Sequence, residues 1–490
     1  MFNMFKRRWF GLAVGFTFVG VCAAAAAGGG DGGGGHEDVF APVLLELAMV
    51  VLLAMAGRAV AVRLKQPPVL GELIAGIVMG NIGYHLFQAR FFSVIMHLTD
   101  LQAIFNAIWG TTASTADIVR TVFSPAQMAP GMAGDRMLAI VNSPQAAEYI
   151  VLGTALWIFS NLGVILLLFV VGYEMQIGEL IKVGPRATLV AVVGVITPFV
   201  LGFVGSALLL PALGHNVHIF MGAILCATSV GITARVFKDL NRLATPEATM
   251  ILGAAVIDDV LGLIILAIVA GIVKTGAVEF MGIAKITLYS VLFLGLAMLI
   301  GEKVIGWMIR HMQRLAGRDL KLLFPLSLAF VMAWLASLIG LAPIVGAFTA
   351  GLVFSENLFQ RHPEKRAALD WIEPVEAIFV PIFFVLMGMQ VNLAAFMQPD
   401  VVLLALAFIL AAILGKLVCG LAGGKGVDAL TIGVGMIPRG EVGLIFASIG
   451  KSMHILTDAV FSGIVIVVVV TTLITPIGLK WTLGRMSRRG

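Results

Sequence analysis

The chain has 490 residues, of which 60% are hydrophobic and 12% charged, with a formal net charge of +5 and a mean hydropathy of +1.04. Soluble globular proteins carry about a quarter charged residues, so a water-soluble core is excluded. The basic residues fall in short joints between apolar stretches, where orientation signals sit, so the positive excess is not a nucleic-acid-binding surface.

The first segment reads as a signal peptide over residues 1–27. Lys6-Arg7-Arg8 is its charged region, Phe10 to Val21 its apolar stretch and Ala23 to Ala27 its small-residue cleavage region. The alternative is an uncleaved first helix. Either way the Gly-rich tail over 28–41 lies outside. Cys22, Cys226 and Cys419 form no CxxC pair and sit in apolar surroundings, so they read as small buried side chains rather than a disulfide framework or zinc site.

A helix needs about 20 apolar residues to cross a bilayer. Thirteen spans meet that requirement, at 42–62, 68–85, 154–176, 188–210, 217–235, 247–273, 283–307, 321–340, 343–359, 372–394, 399–422, 428–450 and 457–480. The fold class is therefore all-α and polytopic, a single transmembrane domain over 42–483 with a basic tail at 484–490. The joints after odd-numbered spans are basic: Arg58, Arg63 and Lys65 after the first, Arg235, Lys238 and Arg242 after the fifth, Lys480 and Arg485 after the last. The even joints are nearly bare. By the positive-inside rule the N-terminus is external and the C-terminus cytoplasmic, in a bacterial inner membrane.

An insertion over 86–150 interrupts the alternation between spans 2 and 3. Leu86 to Trp109 is amphipathic and is expected to lie in the membrane interface. Thr111 to Gln145 is rich in Ser, Thr, Ala, Pro and Gly and reads as loop.

Charges inside a membrane helix are expensive and mark a pathway. Span 6 carries Asp258 and Asp259 near its middle, with no basic residue within a turn. Two neighbouring carboxylates in hydrocarbon cannot both ionise without a cation. The pair is stable with protons or with a metal ion, which is exchange chemistry, and hard oxygen ligands suit Na+. Lys416 in span 11 is expected to pair with one of the aspartates; the alternative is that it snorkels to the cytoplasmic surface. Spans 5 and 12 are poor continuous helices. Span 5 has hydroxyls and a glycine at mid-depth, Thr228, Ser229 and Gly231, while span 12 has Pro438, Arg439, Gly440 and Glu441. Broken helices at membrane depth line cavities. Their corresponding positions in two halves point to an inverted repeat of spans 4–6 and 11–13, with the substrate site at the crossing. Thr228 and Ser229 could add oxygen ligands there. Arg439 and Glu441 could partner each other or the half-helix ends.

With these residues in place, the chain resembles the monovalent cation:proton antiporters, and among them the NapA-type Na+/H+ antiporters and the Kef potassium-efflux systems. The motifs are Gln66-Pro-Pro-Val-Leu-Gly-Glu-Leu-Ile-Ala-Gly, Ala227-Thr-Ser-Val-Gly-Ile-Thr-Ala-Arg235, Ala255-Val-Ile-Asp-Asp-Val-Leu-Gly262, Pro381-Ile-Phe-Phe-Val-Leu-Met-Gly-Met-Gln and Pro438-Arg-Gly-Glu-Val. The resemblance implies that Asp259 is the main cation and proton carrier and that Asp258 pairs with Lys416. It also implies a core domain moving against a dimer domain, and so a homodimer. It implies no enzyme activity and no cofactor, only a transported Na+ (or K+ or Li+) and H+. Kef-type proteins usually carry Gln-Asp and a C-terminal nucleotide-binding domain; this chain has Asp-Asp and ends soon after span 13.

Two other classes are weaker. An intramembrane aspartyl protease needs carboxylates that face each other, whereas adjacent helical residues diverge by about 100°. The GxGD match at Gly28 to Asp31 lies outside any span. A non-transporting sensor would not need Lys416 and both aspartates. The orientation is tested with reporter fusions: one after Gly490 is expected to read cytoplasmic and one within 115–140 external, and opposite readings would overturn the basic-joint argument.

Overall fold

A computed structural model of the chain describes residues 40–87, 90–98, 104, 114–123, 127–174, 177–275, 280–312, 320–354, 369–397, 399–452 and 455–486. The signal-peptide and cleavage expectations for 1–27, most of the Gly-rich tail and the last residues of the basic tail lie outside them.

The described chain is helical. Phe40–Arg63 forms α1, and Pro68–Asn81 forms α2, continued by a π-helical turn over Ile82–Phe87. Three short helices follow: α3 (Arg90–Met96), α4 (Thr115–Val122) and α5 (Ala133–Val141). Then come α6 (Ala146–Glu174), α7 (Ile177–Leu209), α8 (His215–Cys226), α9 (Val230–Asp239), α10 (Pro246–Thr275) and α11 (Phe280–Met312). The last seven are α12 (Leu320–Leu338), α13 (Pro343–Val353), α14 (Leu369–Met389), α15 (Pro399–Gly420), α16 (Ala429–Gly435), α17 (Gly440–Ser452) and α18 (Asp458–Met486). Each expected span meets one of these helices, with spans 5 and 12 each divided in two. Among the described residues, eight segments are long and apolar enough to cross a membrane by length and composition, and Leu323–Leu338 and Pro343–Val353 are shorter apolar helices.

The helices sort into two bundles. In one, α7, α8, α9, α10, α15, α16, α17 and α18 pack on each other; in the other, α1, α2, α6, α12, α13 and α14 do. The long α11 touches α10 on one side and α13 on the other. The bundles meet chiefly through α9, which packs on α2 and α6, and through α18 against α2. Proline alone does not decide where helices break. Pro185 and Pro198 lie inside α7, Pro374 and Pro381 inside α14 and Pro476 inside α18 without ending them. Neighbouring helices can re-satisfy the single backbone group that each proline frees.

The insertion departs from expectation twice. Its later part holds two helices, not loop. Ser114 caps α4 by accepting from the Asp117 amide at 3.2 Å, a Ser-x-x-Asp start signal. Ile118, Val119 and Phe123 then pack with Met137 and Ile140 of α5. In its earlier part, the described helix α3 is not spread on an interface. In α3, Phe91, Phe92, Ile95 and Met96 pack on Leu152 and Leu156 of α6, while Val94 faces the small core under α4 and α5. Protein covers both apolar faces, which leaves none for lipid. Arg136 of α5 ties this cap down by donating to the Tyr84 carbonyl at 3.2 Å and stacking over its ring at 4.5 Å.

The α6–α13 contact is backbone against backbone. A Cβ at Gly351 would lie 2.0 Å from the Phe169 carbonyl oxygen and 2.7 Å from the Tyr173 nitrogen. Gly351→Ala is therefore expected to destabilise the protein by about 1–3 kcal/mol, read as a lower thermal midpoint in detergent. Gly295→Ala, where a Cβ meets nothing within 4 Å, is the control and should not lower it.

Candidate functional site

Ala227–Ser229 separates α8 from α9, and Met436–Arg439 separates α16 from α17. At Pro438 the absent N–H removes a ladder bond, and at Thr228 and Ser229 hydroxyls compete for backbone groups. The two unwound stretches lie against each other. The Ser229 amide donates to the Pro438 carbonyl at 2.8 Å. The Thr233 hydroxyl donates to the Gly435 carbonyl at 2.6 Å and the Thr228 hydroxyl to that of Met436 at 3.4 Å. Arg439, 1% exposed, donates from Nη1 to the Ala227 carbonyl at 2.8 Å and from Nη2 to the Ala412 carbonyl at 3.5 Å. Its positive charge thus sits at the negative C-terminal end of α8.

The aspartate pair stands beside this crossing. Asp258 on α10 is buried, and Lys416 of α15 reaches it with Nζ 3.3 Å from Oδ1. Lys416 is 0% exposed, so it does not snorkel. Thr228 stands beside the Asp258 carboxylate, and Arg439 is a second cation acting on it. Asp259 is the next residue on α10 and 9% exposed, its side chain turned about 100° from that of Asp258. Chemically, two carboxylates, two bases and a hydroxyl lie in a dry place with irregular backbone on both sides.

Not every residue expected at the breaks is part of them. Gly231 lies in the first turn of α9, facing Val164 of α6. Gly440 opens α17 with φ +45°, its amide donating to Thr472 Oγ1 at 3.3 Å. Glu441 lies in α17; its side chain is outside the described ones, so a partnership with Arg439 is not placed.

A second charged cluster was missed. Arg235 and Lys238 of α9 read as ordinary joint residues in the sequence, yet Arg235 is 4% exposed. Its Nε lies 3.1 Å from Asp239 Oδ1, its Nη1 3.4 Å from Glu376 Oε1 of α14 and its Nη2 3.8 Å from Glu72 Oε1 of α2. Lys238 also pairs with Glu376. The rule that singled out the aspartates applies equally to Glu72 in span 2 and Glu376 in span 10.

Residues 48–485 match the family described as sodium/hydrogen exchanger, transmembrane. The chain is similar to the high-affinity Na+/H+ antiporter NhaS3 of Synechocystis sp., 36% identical over 89% of each chain. It is similar to the Na+/H+-K+ antiporter GerN of Bacillus cereus, 37% identical over 73% of this chain and 91% of that one. Among solved structures, its fold resembles the sodium proton antiporter MjNhaP1 from Methanocaldococcus jannaschii, with a TM-score of 0.54 at 17% identity, covering 91% of this chain and 97% of that one.

The crossing leaves little room at Gly440. A Cβ there would fall 2.4 Å from Ser229 Oγ, and the positive φ adds strain for any other residue. Gly440→Ala is expected to lower the thermal midpoint in detergent, by a cost of at least about 1 kcal/mol. Adding Ser229→Gly should recover part of that loss; no recovery would mean that the breaks do not touch as described.

Proposed function

The chain belongs to the sodium/hydrogen exchanger family of transporters, and from that premise we propose that it exchanges Na+ for H+ across the bacterial inner membrane by alternating access at Asp258 and Asp259. In this reading it is a NapA-type antiporter, works as a homodimer, and holds its N-terminus outside and its C-terminus in the cytoplasm. The motifs and the basic joints support those finer points.

The observation that carries the reading is the Lys416–Asp258 pair at 3.3 Å, enclosed beside the two facing helix breaks. Asp259 is the carrier, binding either H+ or Na+, and Thr228 and Ser229 of the neighbouring break add oxygens. The charge count supports coupling. With Asp259 ionised, two carboxylates balance Lys416 and Arg439. A Na+ arriving at Asp259 adds one positive charge in a medium where unpaired charge is expensive. Loss of the Lys416 proton restores the balance. Counted with the proton that Asp259 released to become ionised, two protons then move for each Na+, and transport carries net charge. Asp258 holds Lys416 in place until that happens.

A second reading, K+/H+ exchange or Kef-like K+ efflux, is favoured by the likeness to GerN, whose name includes K+. Ion-titrated exchange in vesicles separates the two.

Asp259→Asn is expected to abolish cation-dependent proton movement in reconstituted vesicles while the protein still inserts and melts normally. Normal exchange would remove the carrier. Lys416→Gln is expected to lose or strongly reduce the Na+-driven current on a supported membrane and to change its pH profile. Equal currents and equal profiles in wild type and variant would end the coupling role of Lys416.

A further inference from the structure

The two bundles meet differently at their two ends. Toward one end the contact is apolar: Ile77 and Val391 pack with Val469, with Val465 and Leu473 alongside, around a void of about 20 Å³, room for about one water. At the end where α9 finishes there is a vestibule of about 550 Å³. Arg58 of α1, Arg235, Lys238 and Asp239 of α9, and Glu373 and Glu376 of α14 line it.

The charged groups here divide by bundle. Arg235, Lys238 and Asp239 stand on α9, in the bundle that carries the aspartate pair. Glu72 and Glu376 stand on α2 and α14, in the other. The Arg235–Asp239 pair stays within one helix, but Arg235–Glu72, Arg235–Glu376 and Lys238–Glu376 all cross between bundles. So does the hydrogen bond from the Val69 amide to Asp239 Oδ2 at 3.3 Å. Arg235 lies six residues beyond Ser229, about 9 Å along the helix, between the crossing and the vestibule.

Apolar surfaces can slide past each other, because their attraction has no direction. Buried ion pairs cannot, since each partner left alone is strongly destabilised. Any separation of the bundles at this end must therefore give the carboxylates another cation. The weakest pairing is at Glu72. It is 0% exposed, and among the described residues its ionic contact is Arg235 at 3.8 Å and neither of its oxygens receives a hydrogen bond. Counting the vestibule with Glu72, four carboxylates face three bases, so the cluster favours one more cation.

We propose that Arg235 and Lys238 latch the two bundles through Glu72 and Glu376, and that the latch opens when a monovalent cation entering the vestibule replaces Arg235 on Glu72. This makes Glu72 a cation-binding residue of the entry path, distinct from the carrier site. The role as a gate rests on the exchange reading, while the latch itself does not.

The test is backbone hydrogen–deuterium exchange on the full chain in vesicles, in Na+ or in choline, with a Na+/H+ exchange assay on the same vesicles. In choline, Glu376→Gln is expected to speed exchange at the end of α9 by on the order of tenfold or more, as loss of buried pairing implies. Lys238→Gln should do so more weakly. The swap Lys238→Glu with Glu376→Lys should return protection toward wild type. Na+ should speed exchange there in wild type and not in Glu72→Gln. Unchanged protection in both single variants would overturn the latch, and should Glu376→Gln fail to fold, Lys238→Gln and the swap decide alone. A Na+ effect that persists in Glu72→Gln would overturn the cation step. Wild-type protein that shows the latch effects but no Na+/H+ exchange would instead sink the exchange reading.

Discussion

Two unwound stretches of backbone in a water-poor interior set the terms for the rest of this structure. Each break frees amides and carbonyls that lipid cannot satisfy, at several kcal/mol per group if left alone. They satisfy one another. Ser229 donates to Pro438, Thr233 to Gly435, and Arg439 to Ala227. Neither break is stable without the other, so spans 5 and 12 must cross, and the helices that flank them must close into one bundle around the crossing. That places α10 beside α15 and brings a lysine to an aspartate 158 residues away in the chain.

The same constraint explains why charge is tolerated there. Arg439 does two jobs with one group. Its donors reach the Ala227 carbonyl that the first break frees and the Ala412 carbonyl of α15, and its charge adds to that of Lys416 beside Asp258. The result is a site whose charges come from two helices, α10 and α15, and from one unwound stretch. If Asp259 is the carrier proposed above, a single positive charge bound or lost there unsettles groups on α15 and in the second break as well as on α10. This is how a local event can bias the arrangement of a whole bundle.

Much of this was legible in the sequence. Hydropathy located the spans because a helix that crosses lipid needs about 20 apolar residues, and the rarity of intramembrane charge singled out Asp258, Asp259 and Lys416. Hydroxyls and Pro438 marked the broken spans, although Gly231, singled out with them, proved to be ordinary helix. What was not legible depends on tertiary contact. Arg235 and Lys238 look like any basic joint until α2 and α14 supply Glu72 and Glu376. Leu86 to Trp109 is amphipathic by composition, but its described helix is clad by protein on both faces. The Ser114-Thr-Ala-Asp117 start of α4 was a readable signal lost in a Ser- and Ala-rich background.

The asymmetry between the two ends of the bundle contact bears on how such a molecule could move. A fully apolar contact would hold no preferred register, because many offsets bury similar area. A contact made of ion pairs alone would be rigid, because each pair allows one geometry and loses several kcal/mol outside it. Here Ile77, Val391 and Val469 supply a surface that tolerates sliding, and the Arg235 network supplies one strongly preferred position. A two-position device needs both: a low barrier along most of the contact and a discrete point where the energy changes sharply. The discrete point lies on α9, the helix whose first turn abuts the crossing. In the proposed latch, movement that strains the network would be transmitted along one short helix to Thr228 and Ser229, beside Asp258.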